Sequence, residues 1–224
     1  MAGNFDRADF GILLTAGAHA LKLEFSESQQ EKMLDYLALL LKWNAVYNLT
    51  SVRDPRQMLT QHLLDAMAAL SAFSGAKQVL DVGSGGGLPG MVLAIWAAEA
   101  QPQMQVHMID TVHKKTAFLT QVKAELGLGN TAIHTGRVEN LKIENLFDVI
   151  TSRAFAELAD FVNWSGHLLQ KDGCMIALKG QAPLEEIARL PAGWMMQKME
   201  PLLVPGMDAS RHLVFIRRLP DFAH

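Results

Sequence analysis

Hydrophobic side chains recur at helical spacing through the first 75 residues. After Ser26 they return every three or four positions: Met33, Leu34, Leu37, Leu40 and Leu41. Ser26 and Gln29 have the spacing of a capping box, and Asp54 precedes a proline that suits a first helical turn. The pattern predicts three helices, near residues 6–21, 27–46 and 55–72.

From Lys77 onward, short apolar runs alternate with helical stretches. Five runs are typical of β-strands: 78–82, 105–110, 131–135, 147–152 and 173–179. Helices are predicted near 89–100, 113–126, 155–169 and 183–190. Two further β-like runs, at 194–204 and 211–219, are joined by a turn-like linker and predict a closing hairpin with one antiparallel strand.

This order of elements predicts an α/β fold. Alternating strands and helices favour a mostly parallel, seven-stranded sheet with helices on both faces. Residues 1–75 are expected to form an N-terminal helical extension, and residues 76–224 the main domain.

Composition excludes several classes of protein. Half of the 224 residues are apolar, and the net charge of −3 is unlike that of a polybasic nucleic-acid binder. Cys174 is the single cysteine, so an intrachain disulfide is excluded, and the histidines show no metal-ligand spacing. No apolar run reaches the length of a membrane span. We therefore expect no metal, no membrane partner and a reducing, cytoplasmic location.

The stretch VLDVGSGGGLPG, residues 79–90, holds five glycines between a predicted strand and a predicted helix. Such a cluster indicates a need for positive φ angles or for close approach of a ligand. The loop lacks the Gly-Lys-Ser/Thr ending of a phosphate P-loop, but Gly85, Gly87 and Gly90 satisfy the G-x-G-x-x-G fingerprint of dinucleotide sites. A tight turn without a ligand is a further alternative.

Two acids near this loop help to choose between ligands. Asp81 favours S-adenosylmethionine (SAM), because a carboxylate attracts the cationic end of SAM and would repel a pyrophosphate. Asp110 ends the next predicted strand and is expected to bind a ribose hydroxyl with either cofactor. SAM is therefore preferred over a nicotinamide dinucleotide.

Five stretches occur along the chain in this order: KWNAVYNLTSVRDPRQML, HLLDA, LDVGSGGGLPG, FDVITSRAF and ALKGQ. Together they resemble the bacterial 16S ribosomal RNA guanine-N7 methyltransferases, also called the glucose-inhibited division protein B family. The resemblance runs from about Lys42 to the final hairpin. It implies a Rossmann-like, SAM-dependent methyltransferase fold and methyl transfer to N7 of a guanine in the decoding-site loop of 16S rRNA.

The resemblance also implies which residues hold SAM. They belong to the glycine loop, a segment after the third strand and the arginine after the fourth: Gly83, Gly85, Leu88, Val138, Glu139 and Arg153. The expected partner is 16S rRNA or the small ribosomal subunit, bound by a monomer.

The reaction implied by the resemblance needs no general base. Guanine N7 carries a lone pair and no proton at neutral pH, so positioning of the reactants is the main requirement. Arg153 is the candidate positioning residue, through the cofactor or a phosphate, because its contact with N7 would block the attacking atom. The SRAF stretch around Arg153 lacks the Asn/Asp-Pro-Pro-Tyr/Phe motif of amine methyltransferases, and Cys174 has the setting of a core residue. Phe155 is open to two interpretations, a base-stacking residue or a core residue.

Six polar residues are candidates for contact with RNA: Asn48, Thr50, Arg53, His62, Lys179 and Arg211. Simpler roles stay open for three of them. Asn48 suits a helix cap, Lys179 a solvated strand end, and His62 a structural pair with Asp65 three residues later. Rival functions are a small-molecule methyltransferase on the same fold, a nicotinamide-dependent oxidoreductase and a non-catalytic RNA-binding module.

Overall fold

The computed structural model describes residues 5–220. Its N-terminal part is helical, as predicted: α1 (Arg7–Ala20), α2 (Glu27–Tyr47), α3 (Pro55–Met58) and α4 (Asp65–Ala68). The Ser26 hydroxyl accepts a hydrogen bond from the Gln29 backbone N–H at 3.1 Å, which completes the capping box of α2. Asp54 caps α3 in the same way.

The single helix predicted over 55–72 is wrong in its interior. A π-helical segment, Leu59–Leu64, separates α3 from α4, and a 3₁₀ turn, Leu70–Phe73, ends the run. Single π turns within helices are frequent at functional sites. This one carries His62 and directly precedes Asp65.

The rest of the chain alternates as predicted. The strands are β1 (Gln78–Val82), β2 (Gln105–Asp110), β3 (Thr131–Thr135), β4 (Phe147–Arg153), β5 (Leu169–Lys179), β6 (Trp194–Pro201) and β7 (His212–Arg218). The helices are α5 (Gly90–Ala100), α6 (His113–Leu126), α7 (Leu158–Ser165) and α8 (Leu184–Ala188). Short 3₁₀ turns stand at Val138–Asn140 and Gly166–Leu168.

The seven strands form one sheet in the order β3-β2-β1-β4-β5-β7-β6. Of the strands among the described residues, β7 runs antiparallel to both neighbours, β5 and β6, and the other pairings are parallel. The predicted mixed sheet with one antiparallel strand is therefore confirmed. Strand order reverses between β1 and β4, where α/β sheets open a crevice for ligands.

The predicted helix over 155–169 starts too early. Arg153 ends β4, and Ala154 takes the left-handed conformation, with φ +52°. A residue in the left-handed conformation cannot continue a right-handed helix, so α7 begins only at Leu158.

Two hydrophobic clusters cover the two faces of the sheet. In the larger cluster, the N-terminal helices pack on one face of the sheet together with α5 and α6. Leu37, Phe118 and Phe215 belong to this cluster. The smaller packs α7 against the other face. The larger cluster runs from α1 into the sheet, so the helical extension packs directly on the sheet. The division into two domains at residue 75 stays a prediction. None of the helices within residues 5–220 has the length and apolarity needed to cross a bilayer.

Candidate active site

Two cavities open at the carboxyl ends of the parallel strands. The first, of about 340 Å³, is lined by the ends of β1 and β2, by residues 136–139 and by Phe155 and Trp164. The second, of about 490 Å³, lies between the glycine loop, residues 49–52, the π-helical segment and the start of β7. Both cavities are lined by Gly83, Lys115 and Ala154, so they meet at the end of β1.

The loop between β1 and α5 forms the floor where the cavities meet. Gly83, Gly85 and Gly87 have φ angles of +68°, +56° and +93°, which side chains rarely adopt. Gly90 serves a different purpose: a Cβ there would lie 2.6 Å from Met108 Cγ and 2.8 Å from Asp81 Oδ2. The glycine cluster therefore combines positive φ angles with close packing onto β1 and β2.

Asp81 supports this loop from below. Its Oδ2 accepts a hydrogen bond from the Gly90 backbone N–H at 3.0 Å, and the side chain is fully buried. Its Oδ1 accepts no hydrogen bond within the described part of the chain. Burial raises the pKa of the Asp81 carboxyl to about 7. The carboxylate lines neither cavity, so contact with a cofactor stays a prediction.

Asp110 lies at the first cavity, as a ribose-binding acid should. Its carboxylate accepts hydrogen bonds from the backbone N–H groups of Gly85, at 3.0 Å, and Val112, at 2.9 Å. Lys115 Nζ lies 3.5 Å from the same carboxylate. These contacts hold the acid at the rim of the glycine loop and neutralise part of its charge.

The far wall of the first cavity is the turn after β3. Val138 is buried there, and the Arg137 guanidinium donates two hydrogen bonds to the Glu139 carboxylate, at 3.0 and 2.8 Å. Phe155 covers Gly83 closely enough that a Cβ on Gly83 would be 2.3 Å from its ring, and it meets Trp164 edge-on at 5.7 Å. Phe155 thus lines the first cavity and packs with the smaller core cluster; stacking on a base stays a prediction.

Arg153 is held in the second cavity by the π-helical segment. Its Nη1 donates to the Gln61 carbonyl and to Asp65 Oδ2, both at 2.9 Å. The other oxygen of Asp65 accepts from Arg211 Nε at 3.0 Å. One buried carboxylate therefore fixes two arginines that follow it in the chain by 88 and 146 residues.

His62 connects Arg153 to the loop after α2. Arg153 Nη2 lies 3.5 Å from His62 Nδ1, and His62 Nε2 lies 2.8 Å from Thr50 Oγ1. Burial, together with the nearby Arg153 charge, lowers the pKa of His62 to about 4, so the ring is neutral at physiological pH. Thr50, His62, Arg153 and Arg211 all line the second cavity, together with Leu88.

The remaining RNA candidates lie in different settings. Lys179 lines the second cavity, but its Nζ is held by Glu186 at 2.7 Å and by the Ala156 carbonyl at 3.0 Å. Asn48 is the left-handed C-cap of α2, and its side-chain oxygen accepts from Arg53 Nη2 at 2.9 Å. Asn48 and Arg53 are exposed and line neither cavity, so any contact they make with RNA lies outside both.

Three contributions were missed by sequence reasoning. Tyr36 is fully buried in α2, and its hydroxyl donates to the Gly86 carbonyl at 2.6 Å. Lys115 lines both cavities. Asp65 stood out only as a neighbour of His62, because nothing in its local sequence indicates two arginine partners.

Comparison with known proteins agrees with the resemblance. A family model described as rRNA small subunit methyltransferase G matches residues 29–214. Ribosomal RNA small subunit methyltransferase G from Herminiimonas arsenicoxydans is 66% identical over 214 residues, covering 96% of this chain and 98% of that protein. The protein of the same name from Burkholderia pseudomallei (strain K96243) is 54% identical over 215 residues, covering 93% of this chain and 92% of that one.

Solved structures support the fold. An O-methyltransferase from Bacillus cereus in complex with SAH has a TM-score of 0.58 at 15% identity, covering 96% of this chain and all of that one (100%). A SAM-dependent methyltransferase from Aquifex aeolicus has a TM-score of 0.54 at 17% identity, covering 71% of this chain and 92% of that chain.

The predicted Rossmann-like methyltransferase fold is therefore confirmed, as is the prediction of a SAM-dependent methyltransferase. The family match spans all the residues that line the two cavities, from α2 to the start of β7. By these matches, the chain belongs to the rRNA small subunit methyltransferase G family.

Proposed function

We propose that this chain transfers the methyl group of SAM to N7 of a guanine in the decoding-site loop of 16S rRNA. The observation that carries the proposal is the pair of cavities that meet at Gly83 and Ala154. One has an acid at a strand end, as a nucleoside site requires, and the other is bordered by cations and by loop residues 49–52.

The donor set of the first cavity fits the adenosine part of SAM. Asp110 is the proposed partner of the ribose hydroxyls, and the backbone at Val138 and Glu139 borders the space for the base. Gly83, Gly85 and Leu88 border the second cavity, where Arg153 would face the amino-acid part. When bound, SAM supplies an electrophilic methyl group on a cationic sulfur.

The polar residues of the second cavity match a reaction without a general base. His62 is neutral, but its Nδ1 faces the Arg153 guanidinium and its Nε2 contacts Thr50. Both oxygens of Asp65 are held by arginines. Since guanine N7 has no proton to lose, this site needs to orient and desolvate the reactants, which can supply roughly 7–11 kcal/mol.

The test is transfer of a radiolabelled methyl group from SAM to small subunits that lack their native methylation, followed by nucleoside analysis. The expected product is 7-methylguanosine. Arg153→Ala should lower the rate by about 100-fold or more, because it removes a preorganised cation beside the reactants. Arg189→Gln, at an exposed position on neither cavity, is the matched control and should keep the wild-type rate.

Three other results would contradict the proposal. Label in a different nucleoside would contradict the N7 assignment. Label only in small molecules of a cell extract would favour the small-molecule methyltransferase. An Arg153→Ala enzyme with the wild-type rate would contradict the proposed role of Arg153.

We further propose that the enzyme works as a monomer in the cytoplasm, on 16S rRNA or the small subunit. Its net charge of −3 supports a substrate held by local contacts rather than by a broad basic surface.

A further inference from the structure

The Thr50 hydroxyl is a polar group in the wall of the second cavity. Its Oγ1 accepts a hydrogen bond from the Val52 backbone N–H at 3.2 Å. His62 Nε2 lies 2.8 Å from the same oxygen, on the side away from Arg153. A hydroxyl has two acceptor lone pairs and one hydrogen, so these two neighbours decide what it can offer to the cavity.

The neighbours of His62 determine its tautomer. A guanidinium only donates hydrogen bonds, and Arg153 Nη2 faces His62 Nδ1 at 3.5 Å. From this contact we assign the lone pair of the neutral ring to Nδ1 and the hydrogen to Nε2. His62 thus donates to Thr50, and both lone pairs of the Thr50 oxygen are engaged.

With His62 in this tautomer, the hydrogen of the Thr50 hydroxyl has no acceptor among its partners within residues 5–220. Two other uncharged side chains of the cavity, Ser51 and Gln61, can each act as donor or acceptor toward a ligand. Thr50 differs from them because its surroundings leave it the donor role alone. A group with one imposed role can discriminate between ligands that differ in hydrogen-bond polarity.

We infer that the Thr50 hydroxyl donates a hydrogen bond to O6 of the target guanine and so selects guanine over adenine. This inference rests on the proposed function and deepens it. Beside N7, guanine presents the O6 acceptor, whereas adenine presents the N6 amino donor. A donor fixed at that position pairs with guanine, meets a second donor in adenine, and leaves N7 free to react.

Arg153 is less suited to this selection. Its Nη1 is engaged by Gln61 and Asp65. A guanidinium on O6 would also compete for N7, because arginine tends to take both acceptors of guanine at once. A hydroxyl offers a single hydrogen and takes one acceptor.

The test uses Thr50→Val, which keeps the shape of the side chain and loses the hydroxyl, and Thr50→Ser, which keeps the hydroxyl. Methyl transfer is measured in single turnover on small subunits with the target guanine. Subunits with adenine at that position serve as competitive inhibitors, so that their affinity is obtained even where no methyl is transferred. SAM affinity is measured by calorimetry.

Thr50→Val should slow transfer to guanine by about 10- to 100-fold, the loss expected for one hydrogen bond that leaves a polar group unpaired. Thr50→Ser should stay within about threefold of wild type, since the donor is retained. Inhibition by adenine subunits should stay as strong or become stronger with Thr50→Val. SAM affinity should be unchanged in both variants.

The inference is overturned if Thr50→Val methylates guanine at the wild-type rate, or if it weakens guanine and adenine subunits equally. A parallel loss of SAM affinity would place the hydroxyl on the cofactor and overturn it as well. If the wild-type enzyme puts no label into guanine, the proposed function fails, and this inference fails with it. The wild-type arm thus separates the two failures.

Discussion

Asp81 stabilises the glycine loop although its own carboxylate lies in an unfavourable, buried environment. Its carboxylate is fully buried, and only one of its two oxygens accepts a hydrogen bond from the described residues. A buried carboxylate with an unpaired oxygen disfavours its charged form. The Asp81 carboxylate accepts the Gly90 N–H at the amino end of α5. Because this carboxylate is buried, the free energy of unfolding depends on pH through Asp81.

The first prediction concerns Asp81→Asn. The pKa is about 7 in the folded protein, above the ordinary value of 3.8. Between these values the folded protein holds a proton that the unfolded chain has lost, so the contribution of Asp81 to the free energy of unfolding falls as pH rises through this window. An asparagine stays neutral and keeps an acceptor for Gly90. Relative to wild type, the variant should therefore gain about 2–4 kcal/mol in free energy of unfolding between pH 4.5 and pH 8.

Urea unfolding of wild type and Asp81→Asn across this pH range measures the difference. A difference that does not change with pH would show that the Asp81 carboxyl is not forced to ionise in a buried setting.

Among the elements, α2 connects the helical extension with the glycine loop. The Tyr36 hydroxyl reaches the Gly86 carbonyl from the fully buried face of this helix. Burial raises the pKa of this hydroxyl, which keeps it protonated and able to donate. The loop is thus held from above by Tyr36 and from below by Asp81.

The second prediction follows from this bond. Tyr36→Phe leaves the Gly86 carbonyl without its donor and should lower the free energy of unfolding by about 1–2 kcal/mol. Because the loop borders both cavities, SAM affinity should fall several-fold in calorimetry. Tyr47→Phe, on the same helix but 43% exposed, is the control and should change neither quantity. Equal behaviour of the two variants would refute a role for Tyr36 in holding the loop.

Elements with a clear local signal were predicted well from the sequence. The bounds of β1, β2, β3 and α6 are those predicted, because strand runs and caps depend on neighbouring residues. The π-helical segment was missed, since its hydrophobic spacing still fits an ordinary helix. The left-handed Ala154 was missed as well, because alanine gives no sign of positive φ.

The site residues, too, were predicted from the sequence only where they have a characteristic local pattern. The glycine loop and Asp110 were found because their spacing along the chain is characteristic. The exposed pair Asn48 and Arg53 was grouped with the cavity residues because they are close in sequence to Thr50, yet their side chains turn outward. Asp65 received too little weight because its two partners follow it by 88 and 146 positions.

On the scale of the whole molecule, most cations near the cavities are already paired. Lys115, Arg153, Lys179 and Arg211 each lie close to a carboxylate. With a net charge of −3, few cations are left to displace counterions from RNA. The binding of RNA should therefore depend only modestly on salt.

The third prediction tests this view with Arg53→Gln. Arg53 is exposed beside loop residues 49–52, and its guanidinium bonds the neutral Asn48. If it contacts a phosphate, its loss should reduce the slope of log Kobs against log salt by about 0.7–0.9. Lys198→Gln, exposed on β6 and lining neither cavity, should leave the slope unchanged. Filter binding to small subunits over a range of salt concentrations gives the slopes.

The contact between Asp65 and Arg211 also relates the site to the order of synthesis. The two residues are 146 positions apart, and Arg211 lies just before the last strand, β7. A ribosome makes the helices that carry Asp65 well before it makes this arginine. Until Arg211 is synthesised, Asp65 lacks one partner and the second cavity lacks one lining residue, so chains interrupted before β7 carry the glycine loop beside an incomplete second cavity. The second cavity is therefore completed only after the strands β1 to β6 have been synthesised.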